Sequence, residues 1–345
     1  MRVGIVGIGF MGWIHWLAWN KVPGVEVAAI CSREPKKRAG DWTGIQGNFG
    51  PPGEKVDLSG LSVFEQFDQM LLDDSIDLID ICLPPGLHCD FAVQAFQAGR
   101  HVLCEKPMAL TIEQCDQMLQ AANKSNRQLL VGHVLPFFPE YAFVRQVALQ
   151  GQYGSLLGGE FKRTVSNPDW IQGFFDPDIV GGPLIDLHVH DAHFIRALFG
   201  MPQSVISSGR WHDKSVEYCA SLFNFANSDL VVSSHGGVIH QQGRPFTHAF
   251  EVRFERATIQ FEFAAFTDQS EAMPLKVLTE DGKVLRPDLG DGDPVDSFVA
   301  ELTEAYRVVQ GQQDESILDG QLARDAIQLC HMQSESVRTG DRVSI

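Results

Sequence analysis

The chain opens with a regular exchange of two patterns: short runs that are apolar throughout, and longer runs that are apolar on one side only. "RVGIVGIG" reads as a buried strand and "FMGWIHWLAWNKV" as the helix after it. "VEVAAICS" is a second strand, and the Gly- and Pro-rich residues 39–60 are a loop. The exchange then continues. "VFEQFDQMLLDD" predicts a helix, "IDLIDICLPP" a strand, "LHCDFAVQAFQAG" a helix, "HVLCEK" a strand, "TIEQCDQMLQAANKSN" a helix and "RQLLVGHV" a strand. Continuously apolar strands separated by helices predict a parallel, doubly wound sheet covered on both faces.

Near residue 135 the pattern changes. "PFFPEYAFVRQVALQGQYG" is a helix closed by glycine. Strand-like runs follow: "LGGEFKRTV", "SVISSGRW", "EYCASLFNFA", "LVVSSHGGVI", "FTHAFEVRFER" and "ATIQFEFAA". Most succeed one another without helices between, which predicts an antiparallel sheet in a second domain. Helices near 295–309 and 318–337 finish the chain. The expected boundaries are 1–130 for the first domain, 131–315 for the second, and a C-terminal helix and tail, 316–345, packing back on the first.

Composition narrows the partners. The 345 residues are 44% hydrophobic, enough for two cores. Lys and Arg number 27 against 44 Asp and Glu, a formal net charge of -17, so nucleic acid and anionic membranes are poor partners. No apolar run is long enough to span a bilayer, and glycines break the apolar start that would otherwise resemble a signal peptide. The seven cysteines are odd in number and form no C-x-x-C pair. That argues against a disulfide framework or zinc ribbon and for a reducing cytoplasm.

The first candidate chemistry is G-x-G-x-x-G, formed by Gly7, Gly9 and Gly12 with Phe10 and Met11 between them. It follows a strand and opens a helix, the context a dinucleotide-binding turn requires. The first glycine permits the tight turn, and the second lets backbone approach a pyrophosphate that the helix N-terminus stabilises. After the second strand an acidic residue would bind a ribose 2′-hydroxyl. Here Ser32 and Arg33 hold that place, with Lys37 beyond, which favours NADP over NAD; Glu34 keeps NAD open.

The second candidate is "CEKP", which puts Glu105, Lys106 and Pro107 at the C-terminal end of a parallel strand, the edge where open α/β sheets bind ligands. A lysine there can stabilise a developing alkoxide. With this context the chain resembles the Gfo/Idh/MocA family, the relatives of glucose–fructose oxidoreductase and inositol dehydrogenase. The stretches that carry the resemblance are 4–12, 83–111, 136–156 and 181–200. It implies an α/β fold: an N-terminal Rossmann domain with a doubly wound parallel sheet, and a C-terminal α/β domain with an open, mostly antiparallel sheet. That sheet is expected to make a homo-oligomer, a dimer or tetramer. The resemblance also implies that Lys106 contacts substrate near the nicotinamide and that the Lys106–Pro107 bond is cis. Leu83-Pro84-Pro85 departs from the family's Thr-Pro-Asn, and Pro136 from a common arginine. Pro84, His88 and Glu105 are expected on the cofactor side.

The third candidate is "DLHVHDAH", residues 186–193. His188, His190 and His193 approach an H-x-H-x-D-H zinc signature, but Asp191 and Ala192 stand in the wrong order, so no metal site is expected. Gly181-Gly182-Pro183 reads as a helix start and Gly200 as its end, with Ile185, Ala192, Ile195 and Phe199 at helical spacing. On a helix Asp186, His190 and His193 share a stripe, while His188 and Asp191 face elsewhere. Asp186 and His190, at i and i+4, can act as a general base and the group that orients it. They match the family's Asp-x-x-x-His. His188, Arg163 and Trp170 are the further substrate candidates. The expected reaction is hydride transfer between nicotinamide and a sugar, polyol or related hydroxy compound, with Lys106, Asp186 and His190 catalytic. The alternatives are an NAD-dependent glycoside hydrolase that oxidises transiently, a non-catalytic dinucleotide sensor, and a metal-dependent hydrolase.

Overall fold

The computed structural model describes residues 1–168, 173–290 and 292–345. The chain divides into two compact units, Met1–Phe137 with Asp291–Arg324, and Phe138–Gly290 with Asp325–Ile345.

In the first unit a six-stranded parallel sheet runs in the order β3-β2-β1-β4-β5-β6. Its strands are β1 (Arg2–Val6), β2 (Glu26–Cys31), β3 (Ser62–Phe64), β4 (Leu78–Ile81), β5 (His101–Glu105) and β6 (Leu129–Gly132). The order reverses between β1 and β4, the switch point outside which such sheets bind ligands. Helices α1 (Phe10–Trp19), α4 (His88–Gln97) and α5 (Ile112–Ser125) follow β1, β4 and β5; short turns of helix, α2 (Pro35–Arg38) and α3 (Phe67–Leu71), flank β3. Thr111 starts α5 with a capping box closed by Gln114. The pattern predicted a helix from Val63. Instead Ser62, Val63 and Phe64 pair with Ala29, Ile30 and Cys31, and the helix is confined to α3.

Between α2 and β3 the chain forms a strap. The Trp42 N–H donates to the Glu54 carbonyl, Gly53 N–H to Ile45, and Val56 N–H to Gly40. Trp42 is fully buried, its indole donating to the Lys37 carbonyl at 2.8 Å, and Trp13 donates to the Pro51 carbonyl at 2.9 Å. Gly47 lies so close to the Phe10 ring that a Cβ there would come within 1.9 Å of it.

Helix α8 (Pro294–Val309) corrects the expected boundaries, because it belongs to the first unit. Val295, Phe298, Leu302 and Ala305 form its buried face, α1 is its main neighbour, and Phe298 stacks on Phe49 of the strap at 5.5 Å. The last helix, α9 (Gly320–Thr339), is divided at Arg324: its first residues group with the first unit and residues 325–345 with the second.

The second unit holds a nine-stranded sheet, ordered β14-β13-β12-β11-β7-β10-β9-β8-β15. The strands are β7 (Leu156–Ser166), β8 (Ser204–His212), β9 (Ser215–Asn224), β10 (Val231–Ile239), β11 (Phe246–Phe254), β12 (Ala257–Ala265), β13 (Ser270–Thr279), β14 (Val284–Leu285) and β15 (Val343–Ser344). β7 and β10 run parallel, and the other pairs are antiparallel. Alternating burial along β9 and β12 shows one covered face, as the pattern required. Helix α6 (Pro139–Gln150) ends at Gly151 in the left-handed region, φ 60°. Helix α7 (Val189–Phe199) ends at Gly200, as predicted, but a π turn over Leu184–His188 precedes it.

Candidate functional site

The glycines of the β1–α1 turn do what their spacing required. Gly7 has φ 94°, and a Cβ there would strike the Cys82 carbonyl at 2.5 Å. A Cβ on Gly12 would lie 2.1 Å from the Gly7 carbonyl, so the third glycine lets α1 pack against the turn. A Cβ on Gly9 would meet open space among the described residues. Gly9 is also the N-cap of α1, and no side chain caps that end. Open backbone at a helix N-terminus is a cradle for a pyrophosphate. Beside it lies a cavity of about 410 Å³ lined by Gly9, Phe10, Glu34, Lys36, Lys37 and Trp42, among others. Met11 is half-buried next to Phe10.

At the ribose end, Ser32 is buried and accepts the Glu34 N–H at 3.3 Å, while Arg33 is exposed. Lys37 pairs with Glu34 at 2.8 Å. The cavity therefore offers both a carboxylate and ammonium groups.

Beneath this edge lies a polar network that sequence patterning did not single out. Asp80 sits inside the apolar strand β4 and is fully buried. His15 Nδ1 donates to it at 2.9 Å and Trp19 Nε1 at 2.7 Å, both from α1, one turn apart. The other nitrogen of His15 faces Glu105 Oε1 at 2.9 Å. Burial works against charge on His15, but Asp80 and the thiol of Cys82 outweigh it and hold the pKa well above the usual value. His15 thus sets one ring nitrogen against each of two carboxyl groups, an arrangement that favours its charged form. Glu301 of α8 is fully buried nearby, with no hydrogen-bond partner for either oxygen among the described residues. Burial pushes its pKa well up, His15 opposes, and Glu105 and Asp80 add to the rise, which favours the neutral acid.

Two residues expected on the cofactor side, Glu105 and His88, have partners within the protein. Glu105 is 5% exposed and turned inward; its second oxygen accepts the Lys106 N–H at 3.1 Å. His88 is fully enclosed, with Nδ1 2.9 Å from the Pro107 carbonyl and Nε2 2.7 Å from the Leu83 carbonyl. Neither side chain faces outward to a ligand. Pro84 is exposed at the end of β4, Lys106 is half-buried at the end of β5, and the Lys106–Pro107 bond is cis.

In the second unit the π turn contains Asp186 and His188, and His190 stands on the first turn of α7. Such turns are rare and concentrate at functional sites. Asp186 and His190 are both half-buried, while His193 is fully buried. Arg163 and His188, both expected near the substrate, are engaged in a buried network. Arg163, 4% exposed, grips Asp191 with two bonds, Nε at 2.8 Å and a terminal nitrogen at 3.0 Å. Burial resists charge on Asp191, yet the guanidinium, with His188 beside it, lowers its pKa to about 2. His188 is 2% exposed, and its Nε2 is met by Ser234 at 3.3 Å and Gln333 at 3.1 Å. His188 and Asp191 share one buried network, with His188 Nδ1 3.7 Å from Asp191. Trp170 lies outside the described residues. Among the described residues, only His15, Asp80 and Cys82 approach metal-ligand spacing, and their hydrogen bonds to one another and to Trp19 account for that closeness.

Comparison with known proteins decides the family. Residues 1–133 match the model of the Gfo/Idh/MocA oxidoreductase family with its NAD-binding Rossmann fold, and 141–260 match a Gfo/Idh/MocA C-terminal domain. The chain belongs to the Gfo/Idh/MocA oxidoreductase family. Across 326 residues it is 25% identical to dTDP-3,4-didehydro-2,6-dideoxy-alpha-D-glucose 3-reductase of Saccharopolyspora spinosa, covering 92% of this chain and 91% of that one. It is 29% identical to the uncharacterized oxidoreductase ORF334 of Rhizobium meliloti, covering 51% of this chain but only 49% of that protein. A glycosyl hydrolase family 109 protein of Shewanella baltica is 30% identical over 46% of this chain and 34% of its own length. Thus the chain spans about half of the one relative and a third of the other. Among solved structures, levoglucosan dehydrogenase in complex with NADH and levoglucosan superposes with a TM-score of 0.80 at 20% identity, covering 100% and 99% of the two chains. At that identity the likeness speaks for the fold.

The cradle at Gly7, Gly9 and Gly12 fits a nicotinamide dinucleotide on this structure's own terms: its glycines leave room where phosphate must approach, at a helix end with no competing side chain.

Proposed function

We propose that this protein interconverts a hydroxyl and a carbonyl on a sugar, polyol or related hydroxy compound. The observation that carries the reading is the placement of Lys106 at the C-terminal end of β5, on the sheet edge where β1 ends in the open cradle of Gly7 and Gly9. A bound dinucleotide supplies a hydride acceptor or donor at its nicotinamide ring. The protein's part is to bind and orient the alcohol and to move its proton. His190 takes the hydroxyl proton at an imidazole nitrogen, Asp186 orients that ring, and the Lys106 ammonium stabilises the alkoxide. In support, Asp186 and His190 are half-buried on the π turn and the start of α7.

Myo-inositol and levoglucosan with NADP+ or NAD+ are the first substrates to try. Lys106→Ala and His190→Ala should each lower kcat by a factor on the order of 10² or more while dinucleotide still binds. Wild-type turnover in His190→Ala would remove it as the base. The dinucleotide is taken to be NADP, supported by Lys36 and Lys37 lining the cavity beyond Gly9 and by exposed Arg33; a lower KM for NADH than for NADPH would reverse this.

A second reading is favoured by the family 109 relative: transient oxidation used to break a glycosidic bond. Product analysis separates the two. Net NAD(P)H formation marks a dehydrogenase, whereas released sugar with no net reduction marks the hydrolase. The protein is also taken to assemble through the outer face of its nine-stranded sheet, where Ile206, Leu222 and Leu157 are exposed, and light scattering at the monomer mass would refute it. All seven cysteines are free thiols, which supports a reducing cytoplasm; disulfides in the native protein would count against it.

A further inference from the structure

His88 ties together two loops. Leu83, whose carbonyl it meets, lies just past β4; Pro107, whose carbonyl it also meets, lies one residue past Lys106 after β5. The two strands are neighbours, with Ile81 beside Cys104. A buried carbonyl in such a place calls for a donor, and from the start of α4 His88 sets one ring nitrogen against each, so that a neutral ring gives its single N–H to one of them, Pro107 in the Nδ1–H tautomer. The other side of Lys106 is fixed as well. Its N–H is held by Glu105, and Glu105 is held by His15. The backbone of the lysine is therefore clamped before and after its Cα.

We infer that His88 is a positioning residue for Lys106, acting through the Pro107 carbonyl to fix where the lysine side chain departs from the sheet edge. The inference rests on the reading of Lys106 as the group that meets the substrate oxygen. His88 itself touches no reacting atom.

The chemistry of the ring yields the test. Burial lowers the pKa of His88 against the two carbonyl bonds that raise it, and a neutral imidazole donates from one nitrogen only. An Asn side chain places its amide N–H where Nδ1 stands and keeps the Pro107 bond. A Gln side chain places it where Nε2 stands and keeps the Leu83 bond. kcat and KM would be measured on myo-inositol and levoglucosan at saturating dinucleotide, with dinucleotide Kd measured separately, for His88→Asn, His88→Gln, His88→Ala and Lys106→Ala. His88→Gln and His88→Ala should lose kcat by a factor on the order of 10 to 10², with KM and dinucleotide Kd within about threefold of wild type, and His88→Asn should stay within about threefold in kcat. Should His88→Ala fail to fold, the contrast between Asn and Gln decides alone. An Asn variant as slow as the Gln variant, wild-type kcat in His88→Ala, or dinucleotide Kd weakening in step with kcat would overturn the inference. Full turnover in Lys106→Ala would instead overturn the reading beneath it. If neither polyol is oxidised, hydrogen exchange over residues 104–110 decides: faster exchange in His88→Gln than in His88→Asn supports the staple, and equal exchange refutes it.

Discussion

Each unit of the molecule buries an ion cluster, and the two are built in opposite senses. In the first, one cation, His15, stands between two carboxylates, Asp80 and Glu105. In the second, one carboxylate, Asp191, is gripped by Arg163 with His188 alongside. The guanidinium is a permanent charge, and it keeps Asp191 ionised down to a pKa of about 2. That cluster is a fixed strut joining β7 to α7. The first cluster depends on a group that can lose its charge, and it ends on the backbone of Lys106. The same physics of burial plus pairing thus makes a brace in one unit and, in the other, a titratable support beneath the proposed lysine.

The sharpest way to break this comparison is to remove each central charge. His15→Leu leaves Asp80 and Glu105 buried without their shared partner and should cost about 3–5 kcal/mol of stability in denaturant unfolding. Arg163→Met leaves Asp191 buried with His188 as its remaining partner in the cluster and should cost toward the lower end of that range, about 3 kcal/mol. If the Arg163 variant suffers more, the first cluster is not charged as described.

Titration sharpens the comparison further, because the signs differ. His15 has its pKa raised in the folded protein, so its stabilisation is complete below the ordinary value of 6.5 and is lost as pH rises through the raised folded value. Asp191 has its pKa lowered from 3.8 to about 2, so its contribution is complete above 3.8 and fades as pH falls toward 2. The Asp191 limb is worth up to about 2 kcal/mol. Stability measured against pH should show the acid limb shrink in an Arg163→Met/Asp191→Leu double variant while the alkaline limb persists. The smallest effect is expected of Glu301→Gln. A carboxyl already neutral is replaced by a neutral amide of the same shape, so stability at pH 7 should move by less than about 1 kcal/mol. A large change would mean that Glu301 carries charge and that the first cluster holds three anions.

What sequence could foretell here follows from the range of each interaction. Gly7, Gly9 and Gly12 serve a turn that is local, so their spacing was enough, and the apolar strands with helices between them implied the parallel sheet. Lys106 was legible from its place at a strand end. Asp80 carried a signal that went unused: a carboxylate inside "IDLIDI" must have a buried partner, but only the adjacency of β1 and β4 brings His15 to it. Arg163 and His188 looked available because their polarity was visible and their partners were not; Asp191 and Gln333 reach them across 28 and 145 positions of chain. The π turn left no mark, since Ile185, Ala192 and Ile195 satisfy an α-helical pattern equally well. Helix α8 was assigned to the wrong unit for a similar reason. Its apolar stripe announces burial without saying against what.

The strap has an optical consequence. Trp42 meets Trp13 edge-on at 5.9 Å and Trp16 at 5.1 Å, and Trp19 lies further along the same helix. Four of the protein's six tryptophans therefore gather behind the phosphate cradle. Their emission overlaps the absorption of a reduced nicotinamide, so energy transfer from this cluster is a built-in gauge of cofactor loading. Occupancy becomes readable by light on the unlabelled chain, before any substrate is known.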